Sequence, residues 1–149
     1  VSSMLGVGIL GQWLGGRASD SFGSKKTLIS ASVGIVIGLL TLQMIPESLL
    51  STFVFIILYG FSFYAHQPAF NSLAGLMTPN ELRGVIFGVL FFFNFGLGSV
   101  STTIAGLCAT RYGLESALYF ITSFSFIALL SSFLIPNKTR SLRKQESEN

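Results

Sequence analysis

Five stretches of this chain contain no Asp, Glu, Lys or Arg: residues 1–16, 27–45, 51–77, 85–110 and 116–135. Uncharged runs of that length limit the fold more than any other feature of the sequence. A helix crosses the hydrocarbon of a bilayer with about 20 apolar residues, in a range of roughly 17–25. The last four runs reach that length. The first is short, and because the chain opens at Val1 inside an apolar run, we expect preceding residues that complete it. Each run is expected to be helical, since lipid offers no partner for open backbone groups. A water-soluble bundle does not fit, because no segment sets a charged face opposite its apolar stripe. Charged residues make up 10% of the chain, against about 25% in a soluble domain. Apolar residues make up 50%, with 15 Phe, more than a soluble domain this small can bury. The expected fold class is therefore all-α: a multi-pass transmembrane bundle of five helices over residues 1–136, then a polar tail over residues 137–149.

The same composition excludes several kinds of chemistry. Cys108 is the single cysteine, so there is no internal disulfide, and one histidine with one cysteine cannot build a metal centre. No acid lies within a run to complete a catalytic triad. No glycine loop ending in Lys-Ser/Thr is present to cradle a nucleotide phosphate. We expect no enzyme activity, no cofactor, no metal and no nucleic-acid partner; the expected partners are the lipid bilayer and a small-molecule solute.

Basic residues orient the spans. With five crossings, the first and third connections lie on the same side as the C-terminal tail. That side carries Arg17, Lys25, Lys26, Arg83, Lys138, Arg140, Arg143 and Lys144, and the other side only Arg111. An excess of Lys and Arg marks the cytoplasmic face, so the expected placement is a cell membrane with a cytoplasmic C-terminus. The turns at residues 46–47 and 112–115 are then external. The basic residues of the tail can contact anionic lipid.

The connection between the first two runs is unusually polar, reading Gly15-Gly16-Arg17-Ala18-Ser19-Asp20-Ser21-Phe22-Gly23-Ser24-Lys25-Lys26-Thr27-Leu28. Gly23 permits a tight turn between membrane helices. Asp20 is suited to face the positive N-terminal end of a neighbouring helix. Two readings stay open on these residues alone: a latch that holds one conformation, or a charged hairpin that anchors topology.

This segment resembles the loop signature of the major facilitator superfamily. Gly16, Asp20, Gly23, Lys25 and Leu28 match that pattern, while Ser21 and Ser24 stand where it has basic residues. A second resemblance lies in Gly60 to Asn71 with its mid-run Pro68, followed by Thr78-Pro79-Asn80-Glu81-Leu82-Arg83-Gly84. In that superfamily such a helix runs into a Pro-x-x-x-Arg-Gly cytoplasmic turn. The resemblance implies a secondary transporter of twelve helices in two halves that moves a small organic solute by alternating access, by default coupled to protons. This chain then corresponds to about helices 8 to 12, and an N-terminal half of the same protein is missing. Helices 2 to 6 fit almost as well by pattern. The degenerate signature favours the C-terminal half, as does the lack of proline in residues 85–110. Gly16, Asp20, Gly23, Lys25 and Arg83 are then expected to serve a cytoplasmic gate.

Within the spans, His66 is the one residue with an ordinary pKa near neutrality, about 6.5, suited to a proton or an anion. A packing role is the alternative. Gln67 and Asn71 follow it, with Tyr64 on the flank and Pro68 freeing a carbonyl nearby. These are the expected cavity-lining residues, with His66 and Asn71 on a shared broad face. Asn94, among Phe91, Phe92, Phe93 and Phe95, either bonds across helices or meets solute. Gly6, Gly8, Gly11, Gly15, Gly96 and Gly98 are expected to let helices approach closely. A non-transporting membrane sensor or assembly protein that keeps the same fold is the rival reading.

Overall fold

The computed structural model describes residues 2–45 and 48–136. It contains five α-helices: α1 (Ser2–Phe22), α2 (Ser24–Met44), α3 (Leu49–Met77), α4 (Arg83–Tyr112) and α5 (Leu114–Leu134), with a 3₁₀ turn at Asn80–Leu82 before α4. The all-helical, five-helix expectation is met. Among the described residues, α2, α3, α4 with its 3₁₀ lead-in, and α5 are long and apolar enough to cross a membrane. α1 is not in that group; its length is sufficient, but Gln12, Arg17, Asp20 and its serines make it more polar. The expected external turn at residues 46–47 and the polar tail at residues 137–149 lie outside the described residues.

The polar connection at the end of α1 is not a loop. α1 continues through Arg17, Ser19 and Asp20 to Phe22, and α2 starts at Ser24. One residue, Gly23, makes the turn with φ 97°, a backbone conformation that side chains with a Cβ adopt only at a cost. The amide of Gly23 still donates to the Ser19 carbonyl at 3.1 Å, and its own carbonyl accepts from the Thr27 amide at 3.2 Å. Polar residues here end one helix and begin the next, since helices can run past the hydrocarbon into the headgroup region. Gly113, with φ 88°, makes the equivalent turn between α4 and α5.

Small residues bring the first three helices together. On α3, Ser62, Ala65, Ala69 and Leu73 are buried, at spacings of three and four that keep them on one helical face. Facing them on α1 are Gly8, Gly11 and Gly15. A Cβ on Gly11 would lie 2.5 Å from the Phe61 carbonyl oxygen, and one on Gly15 2.6 Å from Ala65 Cα. On α2, Gly34 abuts Ser62, and Gly38 sits where a Cβ would meet the Tyr59 backbone nitrogen at 3.0 Å. Backbones this close gain the dispersion contacts that hold helices together in lipid, where apolar burial contributes little. Leu28, Ala69 and Leu73 form a small buried cluster between α2 and α3.

α5 joins this group through α2. Near one end Gln43 Nε2 donates to the Thr122 hydroxyl and to the Leu118 carbonyl. At the other end Lys25 Nζ donates to the carbonyls of Phe133, at 3.4 Å, and Ile135, at 2.5 Å. α4 packs against α5 and has no buried residue. Gly6, Gly96 and Gly98 have open space where a Cβ would stand, so the expected close approach occurs at Gly8, Gly11 and Gly15 and not at these three.

Candidate functional site

The residues expected to line a cavity lie in the middle of α3. A helix turns about 100° per residue, so Tyr64, Gln67 and Asn71 fall on one stripe, and His66 stands about 140° round the axis from Asn71. The structure brings the first three together and sets His66 apart. Gln67 and Asn71 are exposed, and Tyr64 is half-buried. The Tyr64 ring occupies the space beside Gly8 of α1, where a Cβ would come within 2.5 Å of it. It also meets the Phe63 ring edge-on at 5.6 Å. His66 is half-buried, its ring parallel to that of Phe70 with centroids 6.3 Å apart.

Pro68 sits inside α3 without ending it. Because proline has no amide hydrogen, the Tyr64 carbonyl four residues earlier loses its helical donor. A backbone oxygen without its usual i+4 amide donor thus lies at the level of the Tyr64–Gln67–Asn71 stripe. Together these groups offer a phenol, two carboxamides and a carbonyl: hydrogen-bond donors and acceptors with no fixed charge. Asn94 is exposed on α4. α4 approaches α3 where Phe87 Cζ lies 3.8 Å from the position of a Cβ on Gly75, and Asn94 is two turns beyond.

The residues expected at a gate are spread over three positions. Gly16 and Asp20 lie in the last two turns of α1, and Gly23 is the turn itself. Arg83 is the first residue of α4, exposed beside the 3₁₀ turn. Lys25 is engaged with the end of α5. Cations are unfavourable at the start of their own helix and favourable at the end of another, which accounts for that reach. It also meets α5 carbonyls that have no helical donor.

One group at this end was not foreseen from the sequence. Ser19 Oγ donates to Ser24 Oγ at 2.9 Å, and Ser24 Oγ lies 2.8 Å from Ser72 Oγ. Ser19 and Ser24 are 2% and 4% exposed, so this hydroxyl chain ties α1, α2 and α3 together out of water. Serines are common and Ser72 is far along the chain from Ser24, so no local pattern marks the group. Among the described residues no three His, Cys, Asp or Glu side chains are grouped to hold a metal.

Long uncharged helices packed through small residues, with polar groups at their ends and one polar stripe at mid-depth, define a multi-pass α-helical membrane protein. The whole chain, residues 1–149, matches the family model described as Major Facilitator Superfamily. The chain belongs to that family of membrane transporters. No individual curated protein matches it significantly, and neither does any solved structure.

Proposed function

We propose that this chain contributes part of the C-terminal half of a secondary active transporter that moves a small organic solute by alternating access, coupled to protons. Residues 1–136 form its membrane-embedded unit and residues 137–149 a cytoplasmic tail, in a cell membrane. The observation that carries this reading is the stripe of Tyr64, Gln67 and Asn71 on α3, beside the carbonyl freed by Pro68. Polar groups at membrane depth are costly and are kept where they meet a solute or an aqueous path. His66, outside that stripe, is the group we assign to the proton. Asn94 is a second solute contact, brought to the path when the two halves close.

Orientation follows from charge. Arg17, Lys25, Lys26 and Arg83 lie at the α1–α2 and α3–α4 connections, and Arg111 at the opposite end of α4. The contact of Lys25 with Ile135 supports one shared side for the start of α2 and the end of α5. Gly16, Asp20, Gly23, Lys25 and Arg83 form the cytoplasmic gate region. The degenerate loop signature supports placement in the C-terminal half, which works against an N-terminal half.

The test is solute uptake by the full-length protein in proteoliposomes under an imposed proton gradient. Asn71→Ala and Gln67→Ala are expected to lower uptake at least about tenfold, the loss expected when a buried polar contact to solute is left unmade. Uptake unaffected by either change, at equal protein level, removes the stripe from the solute path, whereas no uptake above protein-free liposomes favours a sensor or assembly protein with this fold. Uptake that survives collapse of the proton gradient removes proton coupling but leaves the solute path standing.

A further inference from the structure

We infer that the groove between α1 and α2 at the end nearest Gly23 is a binding site for an anionic phospholipid. The cleft has a volume of about 610 Å³ and is floored by Phe61 and Ala65 of α3. That volume lies within the range of about 300–1,000 Å³ for sites that hold small molecules. Two cations stand on its rim, Arg17 from α1 and Lys26 from α2. Both are exposed. Unlike Lys25, whose ammonium is spent on the α5 carbonyls, they border an open space. Arg17 holds its guanidinium 5.0 Å from the centre of the Trp13 ring, which limits its motion and keeps it beside the cleft. Ser21 and Ser30, one on each wall, add hydroxyl donors suited to phosphate oxygens.

Apolar surface decides between a lipid and a free anion. Leu14 lines the cleft, and Leu10, one turn earlier on the same stripe, continues from it up α1 with Trp13 beside it, both exposed. The cations therefore sit at the foot of an apolar strip that runs toward the membrane centre. A phosphate alone would use the rim and leave the strip uncovered. A phospholipid uses both, with its phosphate at Arg17 and Lys26 and an acyl chain along Leu14 and Phe61. Charge complementarity names the class: a lipid whose headgroup carries net negative charge. This inference rests on the membrane placement of the bundle and not on any solute or coupling ion.

The experiment is equilibrium lipid binding to the full-length protein in detergent, read by native mass spectrometry with phosphatidylglycerol and phosphatidylcholine. The protein is expected to prefer phosphatidylglycerol. The double change Arg17→Gln, Lys26→Gln is expected to weaken that binding about thirtyfold, at the usual contribution of two basic residues to anionic lipid. Ser30→Phe, which fills the cleft while keeping both cations, is expected to weaken it as well. Replacing Lys138, Arg140, Arg143 and Lys144 by Gln is expected to leave the preference intact, and inorganic phosphate is expected not to compete. Equal binding of both lipids overturns the inference, as does indifference to the double change. Retention in Ser30→Phe reduces the site to surface charge and overturns it too. Loss with the tail substitutions moves the site to the tail, and competition by phosphate makes it a free-anion site; either result also overturns the inference.

Discussion

Lys25 Nζ donates to the carbonyl oxygen of Ile135 at 2.5 Å, joining the first turn of α2 to the residue that ends α5. Sequence separation between the two is large, and the same ammonium also reaches the Phe133 carbonyl at 3.4 Å. Lys25→Gln is expected to lower stability in detergent by about 1 kcal/mol, the usual size of a charge-assisted contact to helix-end carbonyls. Lys25→Arg is expected to recover most of it. Thermal unfolding of the two variants against the parent protein checks this; equal midpoints for all three refute a stabilising role.

Gly11 and Gly15 set the distance between α1 and α3. Gly11→Ala and Gly15→Ala each place a methyl group against backbone or Cβ atoms of α3 at 2.5–2.8 Å. Each is expected to destabilise by about 1–3 kcal/mol through overpacking. Gly96→Ala, with nothing near its added methyl, is expected to be neutral within about 0.5 kcal/mol. Thermal midpoints of the three variants, measured side by side, distinguish the close helix pair from the open one.

Gly23→Ala forces a side chain onto a backbone with φ 97° and is expected to cost about 1–2 kcal/mol. Protease accessibility of the α1–α2 turn should rise with it. No change in either stability or cleavage means that the turn relaxes without strain.

Ser24 is the middle hydroxyl of the Ser19–Ser24–Ser72 chain. Ser24→Ala is expected to cost about 1–2 kcal/mol, because the buried Ser19 hydroxyl and the half-buried Ser72 hydroxyl lose a partner together. Ser19→Ala, at one end of the chain, is expected to cost less. A double-mutant cycle over Ser24 and Ser72 measures the coupling, and a coupling energy near zero removes the chain as a structural tie.

His66→Gln is expected to keep the protein folded and to flatten the dependence of uptake on pH, whereas Asn71→Ala lowers uptake at every pH. An unchanged pH profile in His66→Gln leaves the imidazole a packing partner of Phe70.

The number of helices was legible because charge is absent from five runs and present between them. Register was not. Gly6 and Gly8 look alike in the sequence, yet Gly8 meets Tyr64 and Gly6 meets nothing; which face of α1 turns to α3 depends on the whole interface. The polar connection misled for a different reason. Arg17, Ser19 and Asp20 are compatible with a helix end, and only Gly23 leaves helical geometry, so polarity in the sequence marks the membrane boundary and not the end of the helix. His66 and Asn71 are close in sequence, but the turn of a helix separates positions five apart by about 140°. The serine chain joins three helices at one level, which only the packed structure displays.

The two ties between α2 and α5, at Lys25 and at Gln43, lie eighteen residues apart on α2, a span of about 27 Å along a helix axis. Two pins at that spacing act as a mechanical linkage. α5 can pivot sideways about them, but it cannot slide past α2 by a turn, nor tilt end over end, without breaking at least one pin. A helix held at both ends in this way acts as a strut beside α2, and α4, packed on α5, is seated on that strut.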